Sequence, residues 1–146
     1  PTRRSSDLEI DFEVCIGCGQ CLAVCPKDAI GFNWSEKPEN FNEKMAEFAY
    51  GITRGREGGL GYLTYLWNVT DDCNCAGKSM DRICPDIGVL ASRDPVAIDQ
   101  AAVDLINDSG SGDVLNRLWP DSHYSSQMSY GEQIGLGNRQ YELIKV

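Results

Sequence analysis

Hydrophobic spacing changes repeatedly along the chain, and each change predicts an element. Leu8, Ile10 and Phe12 alternate with Glu9 and Asp11, which predicts a short half-buried strand. A second short strand is predicted from Ile30 to Phe32, after a turn over Lys27 to Ala29. From Asn40 the period becomes helical. Asn40 and Glu43 have capping-box spacing, and Phe41, Met45, Phe48, Ala49 and Ile52 then recur as a stripe expected to face the core. Glycines from Gly55 to Gly61 end that helix. Tyr62 to Val69 is nearly all apolar or aromatic, which predicts a strand buried on both faces, and Ile87 to Ala91 predicts another. Asp94 and Pro95 read as the N-cap and first turn of a helix whose apolar stripe is Ile98, Ala101, Ala102, Leu105 and Ile106, with Gly110 just beyond its end. A last helix is expected over about Ser122–Gln133, stopping at Gly135, and Tyr141 to Val146 is expected to form a closing strand.

The run Cys15-Ile-Gly-Cys18-Gly-Gln-Cys21-Leu-Ala-Val-Cys25-Pro26 carries the chemistry. Its spacing, C-x2-C-x2-C-x3-C-P, is the bacterial ferredoxin signature for a [4Fe–4S] cluster. A cubane needs thiolates arriving from several directions at one small object, so the backbone must curl tightly. Gly17 and Gly19 permit that curl, and it aims main-chain N–H groups inward against the cluster's negative charge. Pro26 ends the turn, because it cannot donate to a continuing helix. Other readings of the four thiols are structural zinc, which pairs C-x2-C units across a longer gap, a disulfide framework, and inert thiols.

The chain has 146 residues and a formal charge of −9. That charge argues against nucleic acid and anionic membrane surfaces as partners. No apolar run is long enough for a bilayer and no signal-peptide pattern is present, so the expected compartment is the reducing cytoplasm. Seven cysteines, an odd number, suit metal ligation there better than pairing. Beyond the first four, Cys73 and Cys75 stand at the end of a predicted strand. They are candidates for a second metal or redox site, or else for small buried thiols. Asp71, Asp72 and Asp94 would share that edge if the two strands ran parallel. Asp99 reads as solvated, Lys78 and Arg82 as balancing local acid, and the single histidine, His123, has no assigned role.

Pro1–Leu8 back-translates cleanly into a common short-read sequencing adapter, and so is expected to be an assembly scar and not evolved protein. An ordinary polar tail is the alternative reading. Native sequence would then begin at Glu9, with the natural protein continuing upstream. The expected organisation is an artefact over 1–8, a ferredoxin-type half over 9–32, a linker over 33–39 and a sheet-and-helix region over 40–146. The fold class is α+β or α/β: half of a ferredoxin-type unit attached to a small body of sheet and helices.

The cysteine loop resembles two-cluster bacterial ferredoxins. The region after it resembles the C-terminal part of an iron–sulfur family, domain-of-unknown-function family 362, over Asn42–Tyr50, Asn68–Cys75, Pro85–Asp99 and Gly135–Leu143. The resemblance implies a longer protein with two cysteine motifs and two clusters, of which one motif is here. It further implies that Cys15, Cys18 and Cys21 hold one cluster while Cys25 serves the other. Cys84 falls where the family pattern is apolar, which makes it the least secure ligand. The function expected is electron transfer to redox partner proteins. The alternatives are a cluster-fed enzyme of unknown reaction with a site near Cys73, Cys75 and Asp94, and a purely structural cluster. No Ser/His/Asp or Cys/His catalytic arrangement is recognisable.

Overall fold

The computed structural model describes residues 10–11, 13–27, 29–31, 37–56, 58–73, 77–110 and 112–146. Two compact units are distinguished, Pro1–Glu36 and Lys37–Val146. Within the first, one short helix, α1 (Gln20–Val24), lies inside the cysteine loop, between Cys18 and Cys25. Ile10, Asp11, Ile30 and Gly31 lie in no strand, so neither predicted N-terminal strand is seen over its described residues. Leu8, Glu9, Phe12 and Phe32 lie outside them, as does the proposed scar. Asp11 instead opens a turn: its side chain accepts from Glu13 N–H (3.0 Å) and its carbonyl from Cys15 N–H (2.9 Å).

The second unit holds α2 (Pro38–Thr53), β1 (Tyr62–Leu66), β2 (Gly88–Ser92), α3 (Pro95–Ser109), α4 (Val114–Leu118), a 3₁₀ turn (Pro120–Ser122) and α5 (Ser125–Gln133). It is an α+β arrangement. Among the described residues no helix is long and apolar enough to cross a membrane.

Helix α2 starts inside the segment expected to be linker. Pro38 supplies the preset φ of the first turn, and Lys37 precedes it without a side-chain cap, so Asn40 is an interior residue and not the cap. The predicted apolar stripe is also displaced. Phe41, Met45, Phe48 and Ile52 are exposed, and of the predicted stripe Ala49 alone lies on the packed face, which otherwise is the row one residue on, with Asn42, Ala46 and Thr53. Small side chains let α5 approach there. Asn42 then clamps the turn ahead of α5, donating to Ser122 O (3.0 Å), His123 O (3.1 Å) and Ser126 Oγ (3.0 Å). His123 itself faces Glu39 at 3.3 Å, and the Tyr130 hydroxyl donates to Glu47 (2.8 Å).

β1 and β2 pair antiparallel, Tyr62 opposite Ser92 through Leu66 opposite Gly88. One face lies on α3. Leu66 joins Cys84, Ala102, Ile106 and Val114 in the core, flanked by Val69, Ile83, Ile87, Leu90 and Leu105. The other face carries Leu63, Tyr65 and Val89, all more than half exposed. β1 is therefore covered on one side, not two, and ends at Leu66 instead of Val69. Beyond it the chain stays pinned by the Thr70–Arg82 bridge and by Ile83 N–H donating to Val69 O (3.0 Å). The outer ends of this loop are balanced as expected, Lys78 on Asp72 (2.9 Å) and Arg82 on Asp86 (3.3 Å).

Asp94 is the N-cap of α3, as its position before Pro95 predicts, and its Oδ1 accepts from Val96 N–H (2.9 Å) and Ala97 N–H (3.0 Å). Its Oδ2 accepts from Asn138 N–H at 2.8 Å. Gly137 is required beside it, because a Cβ there would run into the carboxylate. The predicted stripe of α3 is buried at Ile98, Ala101, Ala102 and Ile106, and Gly110 follows its last turn. α4, capped by Asp113, is not foreseen by the pattern; it is only five residues long and buries Val114 against Gly110. α5 is shorter than predicted, because Pro120–Ser122 forms a separate turn and His123 is left-handed (φ 48°). Gly135 (φ 81°) ends it as expected. Tyr141 to Val146 is not a strand. Side chains hold the segment leading into it instead: Arg139 Nε donates to Gln100 (2.9 Å) and the Tyr141 hydroxyl to Asp104 (2.9 Å).

Three stability outcomes are expected. Asp94→Ala strips three backbone N–H groups of their acceptor and should cost about 2–3 kcal/mol in urea unfolding of the whole chain. Gly137→Ala should cost about 1–3 kcal/mol by displacing the same carboxylate. Asp99→Asn should behave oppositely. Burial pushes the Asp99 carboxyl above the ordinary carboxylate value. The folded state therefore holds the proton more tightly than the unfolded one, and stability falls as pH rises from the unfolded pKa through the folded one. The amide removes that loss, which solvent at this exposed residue makes small, so Asp99→Asn should melt slightly higher at neutral pH and unchanged well below the unfolded pKa. A variant less stable at neutral pH would contradict this.

Candidate metal centre

The cysteine loop is built from its glycines outward. Gly17 (φ 68°) and Gly19 (φ 70°) are both left-handed, a conformation that strains any residue with a Cβ. Gly19 is the N-cap of α1, and Leu22 N–H and Ala23 N–H donate to its carbonyl (3.0 and 3.3 Å). α1 carries Cys21, and Cys25 follows in extended geometry (φ −73°, ψ 110°), as the residue before a proline must. Pro26 thus ends the turn where the sequence placed it.

Cys15, Cys18 and Cys21 are exposed, while Cys25 is half-buried and its Sγ accepts from Ala29 N–H at 3.4 Å. An N–H···S bond of this kind favours a thiolate over a thiol. Among the described residues no three His, Cys, Asp or Glu side chains stand together as a metal-holding group, so the four thiols are not gathered in advance. The donor set nevertheless fits an iron–sulfur cluster by its chemistry. Four thiol donors occur within eleven residues, carried on left-handed glycines and one short helix. No described residue of Pro1–Glu36 is buried. Metal ligation can supply order to small domains in which burial is slight.

The second cysteine group is dispersed. Cys84 is a core residue, 6% exposed and packed with Leu66 and Ile106, which suits an inert thiol. Cys73 is exposed, and its N–H donates to Asp72 Oδ1 (2.8 Å). Lys78 beside Asp72, with that N–H, holds the Asp72 carboxyl below its ordinary value. Cys75 lies outside the described residues. Asp71 has a buried Oδ1 with no hydrogen-bond partner among the described residues, while its carbonyl accepts from the Trp119 indole N–H (3.1 Å).

The expected shared edge does not form. It required parallel strands, and β1 and β2 are antiparallel. Asp71, Asp72 and Cys73 follow the end of β1 paired with Gly88, whereas Asp94 follows Ser92, paired with the start of β1. They stand at opposite ends of the sheet. Asp94 is in any case held by three backbone N–H groups. Its link to Gly137 and Asn138 was missed in the sequence, where Gly135-Leu-Gly-Asn carries a turn signal but nothing that names its acceptor.

Along an alignment of 54 residues, which covers 35% of the chain, it is 41% identical to a protein of Halobacterium salinarum named as an iron–sulfur subunit of dimethyl sulfoxide reductase. Along another of 64 residues, which covers 38% of the chain, it is 39% identical to a selenate reductase subunit of Mesobacillus selenatarsenatis. The chain spans about a fifth of the length of these relatives (21% and 22%). No solved structure matches it. The profile of the family described as "Domain of unknown function (DUF362)" matches residues 13–104. That span runs from the cysteine loop through most of α3, more than half of the chain, and on that match the chain belongs to the DUF362 family.

Proposed function

We propose that this is an iron–sulfur protein that passes single electrons between partner proteins. The observation that carries the reading is the C-x2-C-x2-C-x3-C-P loop with both glycines left-handed and three of its thiols exposed. The spacing favours a [4Fe–4S] cluster over zinc. An electron carrier needs its redox group near the surface, and exposed thiols on an acidic chain meet that need. The relatives' names support the direction, since both are subunits of reductases and one is called an iron–sulfur subunit.

When bound, the cluster supplies a one-electron couple. The chain's own residues do the rest. Cys15, Cys18 and Cys21 present thiolates to one cluster. Cys25, half-buried and bonded to Ala29 N–H, differs from them in its surroundings, and by the ferredoxin pattern it would serve a second cluster. Backbone N–H groups of the loop offset negative charge. The enzyme alternative loses its proposed site, because Asp94 is a helix cap at the other end of the sheet from Cys73. Cys73 and Cys75 remain candidates for a separate metal site, which the unpartnered Asp71 Oδ1 supports.

Anaerobic reconstitution with iron and sulfide should give a brown protein with the broad visible absorption of thiolate-to-iron charge transfer. Cys18→Ser should lose most of its iron, Cys25→Ser little, and Cys84→Ser none. Stoichiometric zinc without iron would refute the reading, and equal loss from Cys18→Ser and Cys25→Ser would place Cys25 in the local cluster. A redox titration followed by EPR separates carrier from staple: a couple is expected between about −700 and +450 mV, and a cluster that cannot be reduced there is structural. For the second site, Cys73→Ser and Cys75→Ser should lower total metal where Cys84→Ser does not. Unchanged metal in all three variants makes them packing residues.

A further inference from the structure

We propose that the groove bounded by α2, α3 and α5 binds a small alkylammonium, an apolar chain ending in one protonated amine, with Asp99 as its counter-ion. Two cavities adjoin along this groove, of about 160 and 220 Å³. Asp99, Gln127 and Met128 line both. The walls around them are otherwise nearly all apolar, with Ala46, Ala49 and Val96 on one side and Val103, Ile106 and Leu115 on the other. Among the described residues Asp99 is the sole charged one lining either cavity, and no basic side chain lines them.

The groove is a consequence of how the helices meet. α5 comes against α3 at Gly131, where a Cβ would sit 3.1 Å from Val96 Cγ2. One and two turns earlier in α5, at Gln127 and Tyr124, the space between the helices is cavity instead of contact. Asp99 on α3 looks into that space. Neither its carboxylate nor the Gln127 amide has a hydrogen-bond or ion-pair partner among the described residues. A large part of Asp99 remains open to solvent at the groove mouth, which gives a ligand a way in.

The chemistry selects the ligand. An unpaired carboxylate beside apolar walls is matched by a cation with an apolar body, since the cation restores what desolvation removes. Burial already pushes this carboxyl upward, and a bound ammonium would draw it back. The Gln127 amide oxygen can accept a further ammonium proton, and Met45 and Met128 adapt to the alkyl part. An apolar cavity of about 150 Å³ accepts a benzene-sized molecule, so a chain of about six carbons fits the scale. An anionic ligand would meet Asp99 and be repelled. This site stands apart from the cysteine loop and its test needs no metal.

Titration of the whole chain with hexylammonium chloride, 1-hexanol and sodium hexanoate, followed by NMR of the methionine methyls, tests the proposal. Hexylammonium should shift the Met45 and Met128 signals and bind roughly tenfold more tightly than hexanol, with hexanoate weakest. Asp99→Asn should bring hexylammonium down to the hexanol level and leave hexanol unchanged. Ala49→Phe, which fills the groove from α2 with Asp99 intact, should abolish both, and it decides the matter if Asp99→Asn does not fold. No binding at millimolar hexylammonium, equal affinity for amine and alcohol, or amine binding that survives either variant would overturn it.

Discussion

The Asp94 carboxylate accepts three backbone N–H groups, two from the first turn of α3 and one from Asn138, and the second unit is organised around that contact. It sits between the end of β2 and the start of α3, so it fixes the angle at which the main core helix leaves the sheet. Through Asn138 it also fixes where the chain returns after α5. Arg139 on Gln100 and Tyr141 on Asp104 then continue the same seam along α3. Gly137 has to be glycine for the carboxylate to reach Asn138 N–H at all. A half-buried charge held by three N–H dipoles needs no counter-ion.

That role also decides what Asp94 does not do. A carboxylate that accepts three backbone N–H groups is held in place by them, and moving it would unseat α3. The antiparallel register separates it further from the Asp71–Cys73 loop. Function in this body is thus more readily sought along the helical groove at Asp99, where a carboxylate has no partner among the described residues, than at the sheet edge. The contrast between the two aspartates, five residues apart at the start of α3, is one of hydrogen bonding: Asp94 accepts three backbone N–H groups and Asp99 has no partner among the described residues.

Much of this was legible in the residues. The Asp94-Pro95 start of α3, its stripe and its Gly110 end follow from local rules that act within one helix. The loop's glycine conformations, Pro26 as terminator and Gly135 as the stop of α5 were equally readable, because each is a steric property of a single residue. What could not be read depends on partners distant in sequence. The helical period of α2 was right and its face wrong by one residue, since Asn42 packs inward only because the Ser122–Ser126 turn offers it acceptors. β1 looked doubly buried because its composition is apolar throughout, yet only α3 covers it. Strand direction was left open for the same reason: the shared edge was conditional on parallel pairing, but the link from Leu66 to Gly88 has no helix among its described residues and the pairing is antiparallel.

The two units differ in where their order comes from. Lys37–Val146 buries Leu66, Val96, Ile98, Ile106, Val114 and Met128, and its apolar contacts suffice to hold helices on a small sheet. Pro1–Glu36 has a turn at Asp11, two left-handed glycines and a five-residue helix, with no described residue buried. Helices that short do not persist on propensity alone. Thiolate ligation of the proposed cluster would supply such order, worth on the order of 10 kcal/mol where a metal is structural. Iron binding and folding of the cysteine loop should therefore be one transition. Circular dichroism of the whole chain should then show added ellipticity on reconstitution that a chelator reverses, while the unfolding of the α2–α5 body stays where it was. If that body melted together with the loop on chelation, the core described here would not be self-sufficient.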